Sequence, residues 1–190
     1  MKVLIACEFS GVVRDAFLRR GHDAWSCDLL PTEVPGPHIE GDVLSVVWRE
    51  PDWDLMIAHP PCTYLTRAGD RWYRDSPLRQ QAADFVKILA NAPIPRIAIE
   101  NPRGALLKLW RREDQVIQPW MFGHPETKAT CLWLKNLPPL MATAVSTGRE
   151  QRIHRLSPSP DRWKERSRTL VGVAEAMAEQ WGSLSWEQAA

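Results

Sequence analysis

The sequence predicts an α/β domain with a mainly parallel sheet and helices on both faces. Two observations carry this. Short apolar runs alternate along the chain with segments of helical spacing, the pattern of a parallel sheet covered on both sides. The runs Lys2 to Cys7, Trp53 to Ala58 and Arg96 to Ile99 are almost continuously apolar, as buried strands are. At 190 residues the chain is long enough for one domain with a real core, and it shows no internal repeat.

The elements follow in order. Lys2 to Cys7 is the first strand, and Glu8 to Gly11 is a turn. Val12 to Arg20 has helical spacing and stops at Gly21, in the position after the last helical residues. Asp23 to Cys27 is a second strand closed by Asp28, completing a βαβ unit. Leu30 to Gly41 is proline-rich loop, and Gly41-Asp42 opens a short helix or turn through Trp48. Trp53 to Ala58 is the next strand. Tyr64 to Asp75 has weak periodicity and reads as a mobile loop carrying Arg67, Arg71, Trp72 and Arg74. Ser76-Pro77 is a helix start, a cap followed by proline at the first helical position, and the helix runs to about Ala90. Arg96 to Glu100 is a strand, Gly104 to Trp110 helical, Thr130 to Leu134 a strand and Thr169 to Trp181 an alanine-rich helix. Residues 1–182 are expected to form a single domain, which the motifs below mark as catalytic, and 183–190 are expected to be a frayed tail.

Net charge is +1, so the chain as a whole is no polycation. The segment 149–168 differs, with Arg149, Arg152, Arg155, Arg162, Lys164, Arg166 and Arg168 facing only Glu150, Asp161 and Glu165. It is a candidate phosphate-facing patch or else a solvated loop. Cys7, Cys27, Cys62 and Cys131 show no metal-ligand spacing and read as reduced thiols of a cytoplasmic protein, with no metal expected. No signal-peptide pattern and no membrane-length apolar run is present, so no membrane partner is expected.

The chemistry concentrates at two strand ends. Ala58-His59-Pro60-Pro61-Cys62-Thr63 follows one apolar run, and Ile99-Glu100-Asn101-Pro102 closes another. In a parallel α/β sheet the carboxyl ends of the strands form one rim where sites collect, so Cys62 and Glu100 are expected to face one pocket. Cys62 alone reads equally well as a small buried hydrophobe. Glu100 is harder to explain structurally, because a carboxylate ending a buried strand needs a partner or a function. Asn101 is placed to orient it. A thiolate that adds to C6 of a pyrimidine and an acid that protonates N3 make C5 nucleophilic enough to take a methyl group. A free thiol with a pKa of about 8.5 is only about three per cent ionised at pH 7, so Cys62 needs help from a helix start, a local cation such as Arg67, or proton transfer during attack. His59 is a possible base, though a structural role suits it as well.

The order of these motifs resembles the S-adenosylmethionine-dependent DNA cytosine-C5 methyltransferases, and within them the short phage-borne members. The resemblance is good from residue 3 to about 102, weaker to 134 and faint beyond. It implies a Rossmann-like methyltransferase fold, S-adenosylmethionine as cofactor, DNA as partner and, for a phage-encoded enzyme, the cytoplasm of a bacterial host. Phe9 matches the aromatic that lies against the cofactor's adenine, and Gly11 the glycine that lets the backbone approach, with Ser10 between them. Asp28 matches the acid on the ribose hydroxyls, with Leu29 beside it, and Asp42 the acceptor of the adenine amino group. Pro60 completes the cofactor set. Pro61-Cys62 matches the nucleophile motif and Glu100-Asn101 the N3 pair. Lys128 and Thr130 fall where the family carries cations for the cytosine O2, and Pro61, Arg67, Arg71 and Trp72 complete the substrate side.

The chain departs from the family at Val13, where a second glycine is usual, at Asp28, where glutamate is usual, at Pro102, where valine is usual, and at Thr130, which lacks the family's charge. No segment is large enough for a separate target-recognition domain, so short or weak sequence specificity is expected. Three alternatives stand beside this reading. Methylation of an exocyclic amine is disfavoured, because His59 and Cys62 replace the polar and aromatic residues such enzymes use. C5 methylation of a free deoxycytidine nucleotide keeps the chemistry and changes the substrate. A non-catalytic DNA-binding or decoy protein on the same fold is disfavoured by the intact Cys62 and Glu100. Nothing in the sequence demands an oligomer.

Overall fold

The computed structural model describes residues 1–49 and 52–184. Seven strands form one sheet: β1 (Lys2–Ala6), β2 (Asp23–Asp28), β3 (His38–Glu40), β4 (Leu55–Ala58), β5 (Arg96–Pro102), β6 (Gln115–Ile117) and β7 (Thr130–Lys135), in the order β3-β2-β1-β4-β5-β7-β6. The strands from β3 to β5 run parallel, whereas β7 is antiparallel to both β5 and β6. The helices are α1 (Val12–Arg19), α2 (Val43–Arg49), α3 (Asp70–Tyr73), α4 (Pro77–Ala90), α5 (Leu106–Leu109), α6 (Arg152–Arg155), α7 (Arg162–Ser167) and α8 (Val171–Gly182).

The central strands β1, β4 and β5 are largely apolar because both faces are covered. Leu4, Ala6, Met56, Ala58, Ile97 and Ile99 point into one core with Val43, Val46 and Val47 of α2 and Ala83, Val86 and Leu89 of α4. The alternate residues Val3, Ile5, Leu55, Ile57 and Ala98 point into the other, against Val13, Ala16 and Phe17 of α1 and Ala174, Met177 and Trp181 of α8. This is the period-two alternation of a strand buried on both sides.

The helix start at Ser76 is as expected: its side chain accepts from the Leu78 amide at 3.3 Å, and Pro77 fills the first turn. Two expectations need correction. The proline-rich stretch from Leu30 to Gly41 contains the edge strand β3. The segment expected as mobile loop contains a 3-10 turn at Arg67–Gly69 and then α3. It is pinned by the Thr66 cap, an Asp70–Arg79 ion pair and edge contact between Tyr64 and Tyr73. At the start of the expected tail, the Leu184 carbonyl accepts from Arg96 at 3.3 Å. Residues 185–190 lie outside the described residues.

Candidate active site

The rim at the carboxyl ends of β1, β4 and β5 gathers most of the expected chemistry. After β4, the turn folds back on itself, and the Cys62 carbonyl accepts from the Leu65 and Thr66 amides at 2.9 and 3.0 Å. The neighbouring β5 end is tied to this turn twice. Asn101 Nδ2 donates to the Pro60 carbonyl at 2.9 Å. Beyond it the Ala105 amide donates to the Leu65 carbonyl at 2.7 Å, and Thr66 bridges Gly104. Gly104 has no room for a side chain, since a Cβ there would sit 1.8 Å from the Leu65 carbonyl oxygen. Cys62 and Glu100 are therefore carried by segments locked to each other, and each lies within electrostatic reach of the other.

Glu100 is not an isolated acid. His59 Nδ1 lies 3.3 Å from its Oε2, and the side chains of His59 and Glu100 are 9% and 15% exposed. Antiparallel pairing with β7 sets Glu100 opposite Leu132 and Pro102 opposite Thr130, which brings Lys128 and Thr130 to the carboxylate. Burial pushes the Glu100 carboxyl up, but the hydrogen bond from His59, the charges of Lys128 and His59, and the Thr130 hydroxyl outweigh it and hold the group below its ordinary range. The free protein thus presents Glu100 as a carboxylate at neutral pH, where the sequence suggested a ready acid. Burial also pushes the Cys62 thiol up, Glu100 adds to the rise, and Lys128 and Arg166 partly offset it. The cations that act on Cys62 are these two rather than Arg67, which is exposed.

Around the expected cofactor residues, the turn after β1 is organised by a residue the sequence did not single out. The buried Glu8 carboxylate accepts from the Val13 and Arg14 amides at 2.8 and 3.3 Å and from the Ser10 hydroxyl at 3.1 Å. It thereby satisfies orphan donors at the start of α1. Gly11 takes φ 75°, and a Cβ on it would meet Val34 at 2.5 Å and Arg14 at 2.6 Å. Its glycine is explained by that conformation and by those two neighbours. Arg14 is fully buried and donates to Thr32 and to the Val34 carbonyl, holding the proline-rich stretch against α1. The Phe9 ring packs 5.6 Å from that of Trp163 on α7. Asp28 accepts from the Leu30 amide and Asp42 from the Leu44 amide, each at 3.0 Å. Burial pushes the Asp28 carboxyl up, and the amides of Leu30 and Leu29 and the charge of His38 pull against it. Leu29 beside it is 75% exposed. Both acids act on the Cys7 and Cys27 thiols, so they face one region at the ends of β1 and β2; burial, Asp28 and Asp42 together push Cys27 up to about 12.

The expected substrate residues divide. Lys128 and Thr130 join the Glu100 cluster, and Pro61 is exposed beside Cys62. Arg67, Arg71 and Trp72 are exposed, with the Arg71 guanidinium 5.0 Å from the Trp72 ring. The basic segment is not a uniform patch. Arg152 pairs with Glu126 at 2.9 Å, Arg168 with Glu33 at 2.7 Å, and Arg149 lies over Trp120 at 3.9 Å. Arg166 instead lies within electrostatic reach of Cys62. The sequence offered His59 only as a possible base or a structural residue, from its position just before Pro60-Pro61-Cys62, and it did not connect Trp163 to Phe9 or Arg166 to Cys62. Among the described residues no helix is long and apolar enough to cross a membrane, and no group of His, Cys, Asp and Glu is placed to hold a metal ion.

No protein-family model and no curated protein matches the chain. Among solved structures it is similar to a prophage-encoded E. coli protein whose crystal structure bears the name of a DNA modification methyltransferase, at 14% identity over 77% of this chain with a TM-score of 0.51. The fold is the Rossmann-like methyltransferase fold. The chain spans about half of that neighbour, 52% of its length. In this sheet β1, between β2 and β4, joins the Asp28 region to the Cys62 turn at the carboxyl ends of the strands.

Proposed function

We propose that the protein transfers a methyl group from S-adenosylmethionine to C5 of cytosine in DNA. The observation that carries this reading is the locked pairing of the Cys62 turn with the Glu100 strand end through Asn101. In the proposed reaction Cys62 Sγ bonds to C6, the ring pair moves to C5, and N3 accepts a proton relayed by Glu100. After methylation C5 loses its proton to a base and Sγ is expelled, restoring the double bond. Lys128 and Thr130, beside Glu100, suit contacts to the pyrimidine's carbonyl edge.

The donor set suits the cofactor. Asp28 and Asp42 offer acceptors for hydroxyls and an amino group, and exposed Leu29 offers an apolar face for a ring. Phe9 is covered by Trp163 and Gly11 by Val34 and Arg14, so this reading leaves the adenosine contacts chiefly to Asp28, Leu29 and Asp42. S-adenosylmethionine supplies an electrophilic methyl group when bound. DNA as substrate is supported by the motif resemblance, by the name of the structural neighbour, and by the exposed Arg67, Arg71, Trp72, Arg155 and Arg166.

The test is incubation with labelled S-adenosylmethionine and mixed DNA, followed by nucleoside analysis. The expected product is 5-methylcytosine, and Cys62→Ser is expected to abolish it while cofactor binding persists, because a hydroxyl is a far weaker nucleophile at neutral pH. N4-methylcytosine or N6-methyladenine as sole product would refute the C5 chemistry. Turnover of dCMP or dCTP with none on DNA would move the substrate to free nucleotides.

A further inference from the structure

His59 has no part in the proposed reaction, yet its side chain is only 9% exposed and meets Glu100. Its backbone amide donates to the Ala6 carbonyl at 2.9 Å, which fixes the residue to β1 as it leaves β4. Its Nδ1 meets Glu100 Oε2 at 3.3 Å, and its Nε2 is buried with no hydrogen-bond partner among the described residues. A structural histidine in such a place normally satisfies both nitrogens. The other titratable or charged groups that interact with Glu100 are Cys62 from the turn, Lys128 from the approach to β7 and Cys131 on β7, and Arg166 from α7 acts on Cys62. Lys128 is partly engaged, since its ammonium donates to the Arg168 carbonyl at 3.0 Å.

The arrangement exposes a gap in the chemistry. N3 of the cytosine needs a proton as Cys62 adds, but Glu100 is held as a carboxylate by the surrounding positive charge and hydrogen bonds. The proton must reach Glu100 from a neighbour, and the donor in direct hydrogen-bond contact with it is the imidazole of His59.

We propose that His59 is a positioning residue that holds the reaction's proton: its imidazolium donates from Nδ1 to Glu100 Oε2, and that proton passes across Glu100 to N3 as Cys62 Sγ bonds to C6. The thiol proton leaves to water beforehand, the sulfur pair forms the S–C6 bond, and the C5–C6 pair becomes the nucleophile at C5. N3 gains the proton that Nδ1 loses, and His59 ends neutral. On elimination the N3 proton returns by the same path. The proposal rests on the cytosine-C5 reading.

The test follows covalent adduct formation on 5-fluorocytosine DNA as a function of pH, in the wild type, His59→Gln and Glu100→Gln. Glutamine at 59 keeps an N–H donor for Glu100 but carries no exchangeable charge. The wild-type profile is expected to carry two ionisations, the thiol's and that of the proton-holding pair, so that the rate levels off with rising pH. In His59→Gln only the thiol's should remain: the rate at neutral pH falls about a hundredfold, and it climbs with pH up to the thiol ionisation. The double variant should lose no more than Glu100→Gln alone, because the two residues act in series. A His59→Gln enzyme with wild-type rate and profile, or additive losses in the double variant, overturns the proposal. If His59→Gln does not fold, the ring nitrogens of wild-type His59 are followed by 15N NMR as the adduct forms: imidazolium turning neutral supports the proposal, and an unchanged ring overturns it. A wild type that forms no adduct at any pH refutes the cytosine-C5 reading itself, a result distinct from the failure of His59 alone.

Discussion

Asn101 hangs the cysteine turn from the end of β5, its Nδ2 donating to the buried Pro60 carbonyl at 2.9 Å. Pro60 and Pro61 have no amide hydrogen, so neither residue can anchor the turn through a backbone donor of its own. The side chain of a neighbouring strand does it instead.

Asn101→Ala is therefore expected to separate the two segments without unfolding the sheet. It leaves the Pro60 carbonyl buried and unpaired, at a cost of about 1–3 kcal/mol, which for a chain of this size lowers the melting temperature by roughly 3–10 °C. Displacing the proposed nucleophile Cys62 by an ångström is expected to cost about a hundredfold in rate. Thermal melting combined with single-turnover methylation checks both. A variant with intact turnover would show that the tie is dispensable.

The thiol and carboxylate of the site also make a prediction about plain chemical reactivity. Burial first, and then the Glu100 charge, push the Cys62 thiol up. The thiolate is the reactive species, so alkylation of Cys62 by iodoacetamide should keep rising above the pH at which a free thiol saturates. Glu100→Gln removes the negative charge and lowers the thiol's pKa. Alkylation at pH 7.5 should then be about three- to tenfold faster than in the wild type. Peptide mass spectrometry reads the rate at Cys62 itself; a slower reaction in the variant would mean the carboxylate assists the thiol rather than opposing it.

On the cofactor side, Asp28→Ala and Asp42→Ala should raise the dissociation constant for S-adenosylmethionine more than they slow the chemical step. Losing a hydrogen bond to a charged acceptor costs about 1.5–3 kcal/mol, roughly ten- to a hundredfold in affinity. Each acid also accepts from a nearby amide, so melting temperatures serve as the control for local unravelling. Calorimetry giving unchanged affinity in both variants would place the adenosine elsewhere.

The pairing within the basic segment sharpens the expected salt response. Arg152 and Arg168 already neutralise Glu126 and Glu33, whereas no ion pair joins Arg155 or Arg166 among the described residues. Replacing Arg155 and Arg166 with glutamine should shallow the salt dependence of duplex binding by up to about 1.8 in the logarithmic slope. The same change at Arg152 and Arg168 should leave the slope nearly as it was and lower the melting temperature. Filter binding across salt concentrations distinguishes them; equal slope changes from both pairs would restore the whole segment as a phosphate-facing patch.

The strands most legible in the sequence are those whose residues decide their own environment. Lys2–Ala6, Leu55–Ala58 and Arg96–Pro102 are apolar because both faces are buried, and that shows in any window. The edge strands β3 and β6 are three residues each, and their partners rather than their own side chains make them strands. The site divides in the same way. Cys62 and Glu100 are visible because each follows an apolar run. The His59 bond to Glu100, the Trp163 cover over Phe9 and the capture of Arg152 and Arg168 by distant acids depend on segments far apart in the chain. Local periodicity carries no trace of them. Glu8 lay in plain view before a helix, but its spacing to the Val13 amide is longer than the usual capping pattern and so gave no signal.

Gly104 carries the broadest consequence. It has no chemistry, yet the Leu65 carbonyl lies where its side chain would begin. Any other residue there must drive the Cys62 turn and the Glu100 strand apart. In a saturation-mutagenesis screen for methyl transfer, position 104 should therefore be as intolerant as position 62, and a map of lost activity would mark it as though it were a reacting group. Measuring protein abundance alongside activity would tell the two apart in one direction only: variants at both positions can accumulate as folded, inactive protein, so an activity map of this site outlines the clamp as well as the chemistry it holds.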